Sequence, residues 1–303
     1  MLSEGADAIG SPYAPPEEAG NLIEGNGVWG RIEGSHTTVE PRFSTSDTDY
    51  RYNMFRLQAG LDGMLAENES GKLIGSVMLH YVRGKAKTNS IYGDGEISTD
   101  GYGLGGALTW YADNGFYVDG QAQTTWYDSD LDSTLAGLGL ADGNNGFGYS
   151  LSLESGKRVA IDQNWSVTPQ AQLVYSNVDF DSFRDVFDAS VSLDRGESLQ
   201  GRLGVAVERQ HSWYNENGLV NRTQFYGIGN LYYEFLNGTR IDVAGTSFAN
   251  SNERLWGGVG IGGSYNWDGD KYSIYGEGSV NTSLAEFGDS YSYKGNIGFR
   301  VKW

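Results

Sequence analysis

The chain has 303 residues, among them 45 Gly, 20 Tyr, 12 Phe and 8 Trp, but only 5 Pro and no Cys, and its formal net charge is −18. That charge argues against nucleic acid as a partner, since phosphate binding needs a basic surface. The missing Cys excludes disulfides and thiolate metal sites, and the three scattered histidines, His36, His80 and His211, make no His-rich metal site. Mean hydropathy is −0.44 and no apolar run reaches the roughly 18 residues of a spanning helix, so no transmembrane helix is expected. A barrel is not excluded, because only alternate residues of its strands face lipid.

Residues 1–27 differ from the rest. They carry Pro12, Pro15 and Pro16 and the acids Glu4, Asp7, Glu17, Glu18 and Glu24, with no cation. We read a linker with at most a short helix over 16–23, weakened by Gly20. The opening MLSEGADAIG has no basic n-region and no apolar core, so it does not read as a signal peptide; if the protein is exported, its signal is expected upstream of residue 1.

From Val28 onward the period is two. In the first strand Val28, Gly30, Ile32 and Gly34 oppose Trp29, Arg31, Glu33 and Ser35. The same alternation recurs over 55–61, 73–81, 102–110, 116–126, 149–153, 165–175, 199–207, 225–235, 255–267 and 272–280. It ends in YSYKGNIGFRVKW (291–303), where Tyr291, Tyr293, Gly295, Ile297, Phe299, Val301 and Trp303 share one face. A long apolar face on a soluble edge strand invites aggregation, but it suits a strand between lipid and a polar lumen. Twelve strands result.

The connectors alternate in length. Asp113-Asn114-Gly115, Asp162-Gln163-Asn164 and Asp268-Gly269-Asp270 are short turns. Long polar stretches lie near 37–48, 86–96, 128–145, 180–196, 237–252 and 284–290, and 239–243 reads as a hairpin arm inside one of them. The connector 210–221 breaks the rule, being long on the short-turn side. An even strand count with short turns at one end and long loops at the other is the plan of an outer-membrane barrel. A soluble barrel would bury Arg31, Glu33, Arg56, Glu154, Arg158, Arg202, Glu208, Glu234 and Glu277 in a dry core, which costs several kcal/mol or more per uncompensated charge. Turned outward, a Lys or Arg at mid-bilayer costs roughly 2–4 kcal/mol. A wet lumen avoids both penalties. The fold class expected is therefore all-β: a 12-stranded antiparallel transmembrane barrel over 28–303, with residues 1–27 as linker.

Four stretches carry a family resemblance: GVWGRIEGSH (27–36), GYGLGGALTWYADNGFYVDGQAQTTWY (101–127), GYSLSLESGKRVAIDQNWSVTPQAQLVYSNVDFDSF (148–183), and RLGVAVER (202–209) with NIGFRVKW (296–303). Together they resemble the translocator domain of the monomeric autotransporters, the type Va secretion family. The resemblance implies the C-terminal part of a longer protein, integral to the bacterial outer membrane, with its long loops extracellular. It implies a passenger polypeptide exported to the cell surface and a linker helix left in the lumen. Implied partners are outer-membrane lipid and lipopolysaccharide, the barrel-assembly machinery and the chain's own passenger, with the domain a monomer. Tyr293, Ile297, Phe299, Val301 and Trp303 resemble the signal that such machinery reads. The linker departs from the pattern, since residues 1–27 supply only a fragment of a helix. Some members cleave themselves at an Asn in the lumen; Asn21 and Asn26 are the linker asparagines, and no cleavage motif accompanies them.

Arg31, Glu33, Arg56, Glu154, Arg202 and Glu208 are expected to line the lumen. Inward Gly103, Gly105, Gly148, Gly204, Gly258 and Gly260 either leave room for a passing backbone or pack neighbouring side chains. Phe116, Trp165, Trp267, Tyr272 and Trp303 are expected in the periplasmic aromatic girdle. The acidic groups at 128–132 and 179–188 read as solvated loops rather than Ca²⁺ sites. No nucleophile motif accompanies His80, so no enzyme activity, metal or cofactor is expected. A stand-alone porin or a small outer-membrane enzyme is the alternative.

Overall fold

The computed structural model describes residues 27–90 and 93–303. Residues 1–26, where the expected short helix and both linker asparagines fall, lie outside the described residues. Twelve long strands make the wall: β1 (Gly27–Val39), β2 (Asp49–Asn68), β3 (Gly71–Asn89), β4 (Gly95–Ala112), β5 (Phe116–Ser133), β6 (Leu138–Lys157), β7 (Trp165–Phe180), β8 (Glu197–Tyr214), β9 (Val220–Glu234), β10 (Leu255–Trp267), β11 (Tyr272–Ser283) and β12 (Tyr291–Lys302). Each pairs antiparallel with its sequence neighbours. The sheet closes where β1 meets β12, in register from Gly27↔Lys302 to Thr38↔Tyr291. Closure removes both free edges, which is the requirement for a sheet in lipid.

The burial pattern is inverted relative to a soluble protein. The largest fully buried side chains are Gln58, Glu33, Glu208, Asn266 and Thr168, whereas Leu79, Val259, Ile261 and Phe225 are more than 60% exposed. Apolar groups therefore face outward in a belt and polar groups face the interior.

Staves β2 to β6 run 18 to 20 residues, where crossing a bilayer takes roughly 9–11. They project beyond the membrane on the long-loop side. The polar stretches expected as loops at 86–96 and 128–145 are mostly strand, leaving only 90–94 and 134–137 as connectors. Outside the hydrocarbon nothing demands apolar residues on the outer face, so the ladder continues where the alternation stops.

The long connector expected at 210–221 is also corrected. β8 continues to Tyr214 and β9 starts at Val220, leaving a turn of 215–219. Trp213 pairs with Asn221 across the ladder, and its ring stacks on Tyr265 at 6.1 Å and on His211 at 5.6 Å. These contacts hold polar sequence in strand form. The arm at 239–243 is present. Thr239–Val243 pairs with Thr246–Ser251 through Ala244 (φ 51°) and Gly245 (φ 83°), the two positive φ values of a tight hairpin turn. The stave count stays at twelve, because the hairpin joins a second sheet of five short strands. Its order is Phe183–Arg184, Ser190–Arg195, Thr239–Val243, Thr246–Ser251, Phe43–Ser44, so three of the long loops knit together at one end of the barrel.

Candidate functional site

The interior is a cavity of about 320 Å³ whose walls carry Arg31, Glu33, Glu154 and Arg202. Arg56 and Glu208 also point inward but lie beneath neighbouring side chains, 4% and 0% exposed. The six residues fall into separate groups, each set by strand register.

On β1 and β2, Arg31 donates from Nε and Nη2 to Gln58 Oε1 at 3.0 and 2.5 Å. Glu33 stands opposite Arg56 in the ladder. Lys294 Nζ lies 3.9 Å from its carboxylate, yet neither Glu33 oxygen has a hydrogen-bond partner among the described residues. On the far arc, Tyr117 on β5 donates to Glu154 at 2.5 Å. Glu154 in turn accepts from Arg202 Nη2 at 2.5 Å. Arg202 also donates to Gln172, Gln170 and Asn230 at 2.9, 3.1 and 3.0 Å, so one guanidinium on β8 holds staves β6, β7 and β9. Glu208 accepts from Thr168 at 2.9 Å and Ser166 at 3.3 Å, with Arg158 Nε 3.5 Å away. This third group sits by the short turn after β6.

Two inward features escaped the sequence reading. Asp62 accepts from Trp29 at 2.9 Å and Ser76 at 2.6 Å and pairs with Arg300, joining β1, β2, β3 and β12 across the closure. Tyr226 donates to Glu277, while Tyr111 and Tyr117 cover Ile74. The signal for these rings was available: an inward Tyr whose register partner is Gly. Tyr117 faces Gly156, Tyr226 faces Gly262 and Tyr275 faces Gly298, and a Cβ at any of the three glycines would collide with the ring.

The inward glycines divide the same way. Gly103 is covered by His80, Gly204 by Asn230, Gly258 by Asn281 and Gly148 by Tyr127. Gly105 packs on Gln123 and Met78, and Gly260 on Ile228 and Ser279. Of the two readings open from sequence, packing is the one seen.

No catalytic arrangement appears among the described residues. His80 Nε2 meets Thr125 Oγ1 at 2.9 Å with no carboxylate beside it, and no cluster of metal-ligating side chains is found there. On the outer face Tyr293, Ile297, Phe299 and Trp303 are all more than 40% exposed. Trp267 stacks on Tyr272 at 5.6 Å and lies 6.1 Å from Phe299, and Phe116, Trp165 and Trp303 are exposed at the same short-turn end.

A closed polar-lumened barrel of twelve staves admits several families, and the sequence decides among them. The family model described as the autotransporter beta-domain matches residues 28–279. This chain belongs to that family. The autotransporter β-domain is 48% identical over 292 residues to the adhesin BmaC autotransporter of Brucella suis, covering 96% of this chain and 8% of that protein. It therefore spans about 8% of the length of that curated relative. Its fold is shared with the transport unit of the AIDA-I autotransporter of Escherichia coli, at TM-score 0.76 and 18% identity over 96% of this chain and all of that one. The β domain of Bordetella BrkA matches at TM-score 0.70 and 21% identity, over 92% and 100% of the two chains. The autotransporter β-domain is thus an outer-membrane translocator, integral to the bacterial outer membrane, of a family that is generally non-enzymatic.

Proposed function

We propose that this domain exports and then anchors its own passenger polypeptide, joined ahead of β1, and that it catalyses no reaction, including cleavage of its linker. The observation that carries this reading is the inner wall. It bears both charge signs and many polar groups, with Arg31, Glu154, Arg202, Glu277, Lys294 and Asn296 lining the cavity. Such a wall offers hydrogen bonds to a polypeptide and no continuous apolar surface to trap it. Topology adds support. β1 starts at Gly27, which pairs with Asp62 and Lys302 near the short-turn end, so a segment preceding it meets the barrel at its periplasmic mouth. The similarity to an adhesin autotransporter points to an adhesive passenger. Assembly through the outward aromatic row ending at Trp303 belongs to the same proposal.

A reporter domain fused ahead of residue 1, behind an export signal, tests it. The expected result is a reporter cleaved by protease added outside intact cells. A reporter retained in the periplasm beside a heat-modifiable, folded barrel would overturn it. A purified domain conducting steadily as a wide channel would favour a porin instead.

A further inference from the structure

Above the apolar belt, the outer wall of β2 and β3 carries four cations on one face. Arg83, Lys85 and Lys87 alternate along β3 with side chains 67%, 52% and 54% exposed, while Val82 and Ala86, of the opposite parity, face inward and are buried. Arg51 on β2 is exposed beside buried Tyr52 and stands opposite Lys87, and Phe55 stands opposite Arg83. Alternate residues on a strand lie about 6.6 Å apart and neighbouring strands about 4.8 Å apart, so the four heads cluster within roughly 15 Å.

Two anions pair with them. Glu96 lies 2.5 Å from Lys85 and 3.6 Å from Lys87, and Asp100 lies 3.9 Å from Arg83. Asp49, exposed two residues before Arg51 on the same face, is a third, so four cations less three anions leave +1 on a chain whose total is −18. The positive surface ends at β4, since the next outward groups are Asp128, Asp130 and Asp132 on β5. Among the described staves, no other carries more than one outward Lys or Arg.

The height of the patch says what it meets. The rings of Tyr81 and Tyr102, 5.1 Å apart, stand one step below Arg83. Leu57 stands level with Tyr81, Leu79 one step lower and Phe55 beside Arg83, all three exposed on the outer face. Aromatic rings mark the level of the headgroups, and the stems of Lys and Arg reach along apolar surface to charged heads above it. A soluble anion has no use for the apolar half of such a surface. We propose that the outward face of β2–β3 is a binding site for the phosphorylated glycolipid of the outer leaflet, its phosphates held by Arg51, Arg83, Lys85 and Lys87 and its acyl chains lying on Phe55, Leu57 and Leu79. Arginine forks suit phosphate oxygens in pairs, and two lysines beside them add point charge.

The test is native mass spectrometry of the full chain released from detergent with diphosphoryl lipid A, monophosphoryl lipid A or phosphatidylglycerol. Retention in the order diphosphoryl, monophosphoryl, phosphatidylglycerol is expected. Neutralisation in R51Q/R83Q/K85Q/K87Q should weaken lipid A retention by about fivefold per cation removed. The loop variant R42Q/R184Q/R240Q and the charge-keeping K85R/K87R should retain it. A heat-modifiable gel shift establishes that each variant is folded, and the pair R83Q/K85Q replaces the quadruple variant if that fails. Unchanged retention in the neutralised variant, an equal loss in the loop variant, or equal retention of phosphatidylglycerol would each overturn the proposal.

Discussion

Arg202 Nη2 lies 2.5 Å from Glu154 Oε2 although β7 runs between their staves. The side chain crosses the inner surface of a whole strand to make the contact, and both partners are less than 20% exposed. Arg202→Met would leave the Glu154 carboxylate with Tyr117 alone, at a cost of about 2–4 kcal/mol. Arg202→Met with Glu154→Leu should recover most of that loss. Urea unfolding in lipid vesicles, read as a double-mutant cycle, measures both.

Tyr275 lies over Gly298, its register partner on β12. Gly298→Leu should destabilise the barrel by about 1–3 kcal/mol, because the ring has to leave its place. In Tyr275→Ala the same leucine should cost little. Equal costs in the two backgrounds would mean that the ring is not what fills the site.

The belt and the lumen should respond oppositely to charge. Ile261 is 74% exposed on the outer face, midway along β10, and Ile261→Arg should cost roughly 2–4 kcal/mol. Ser279, which lines the cavity, should accept Ser279→Arg at a cost under about 1 kcal/mol. Vesicle unfolding midpoints compare the two.

The terminal strand separates assembly from stability. Phe299→Ser with removal of Trp303 should sharply reduce the folded barrel recovered from cell envelopes. The same variant refolded in detergent should keep its heat-modifiable shift, because the backbone ladder from β12 to β1 and β11 is intact. Equal loss in both settings would make these side chains structural only.

One loop group gives a pH signature. Glu40, between β1 and β2, has its carboxyl pushed above the usual range, first by desolvation and then by Asp289, Asp49 and Glu286. A carboxyl with a raised folded value favours folding in its protonated form, so its ionisation weakens the native state as pH rises. Glu40→Gln should therefore raise the unfolding temperature slightly at neutral pH. The gain should vanish below about pH 4, where folded and unfolded carboxyls are both protonated. A gain that persisted in acid would have another cause.

Membrane depth determined how much of the fold was legible. Between Phe55 and Leu61 or Phe299 and Trp303 the outer face must be apolar, and alternation fixed strand, face and parity. At 86–96, 128–145 and 210–221 lipid imposes nothing, so the strands there carry no alternation and look like loops in sequence. The lumen candidates were legible as inward residues because a charge on an alternating strand has only one acceptable side.

By itself, the sequence determined the number of membrane-crossing strands, the side each residue faces and the resemblance to an autotransporter translocator, since all three are local periodicities or motifs. Register and closure decided the rest. Only the closed barrel brings Asp62 to Arg300, 238 positions apart, lets Arg202 reach Glu154 over β7, and lays tyrosines on glycines of neighbouring strands. Only the heights of adjacent staves set Arg51 beside Lys87 above the lipid belt. These are relations between strands, and no period within one strand encodes them.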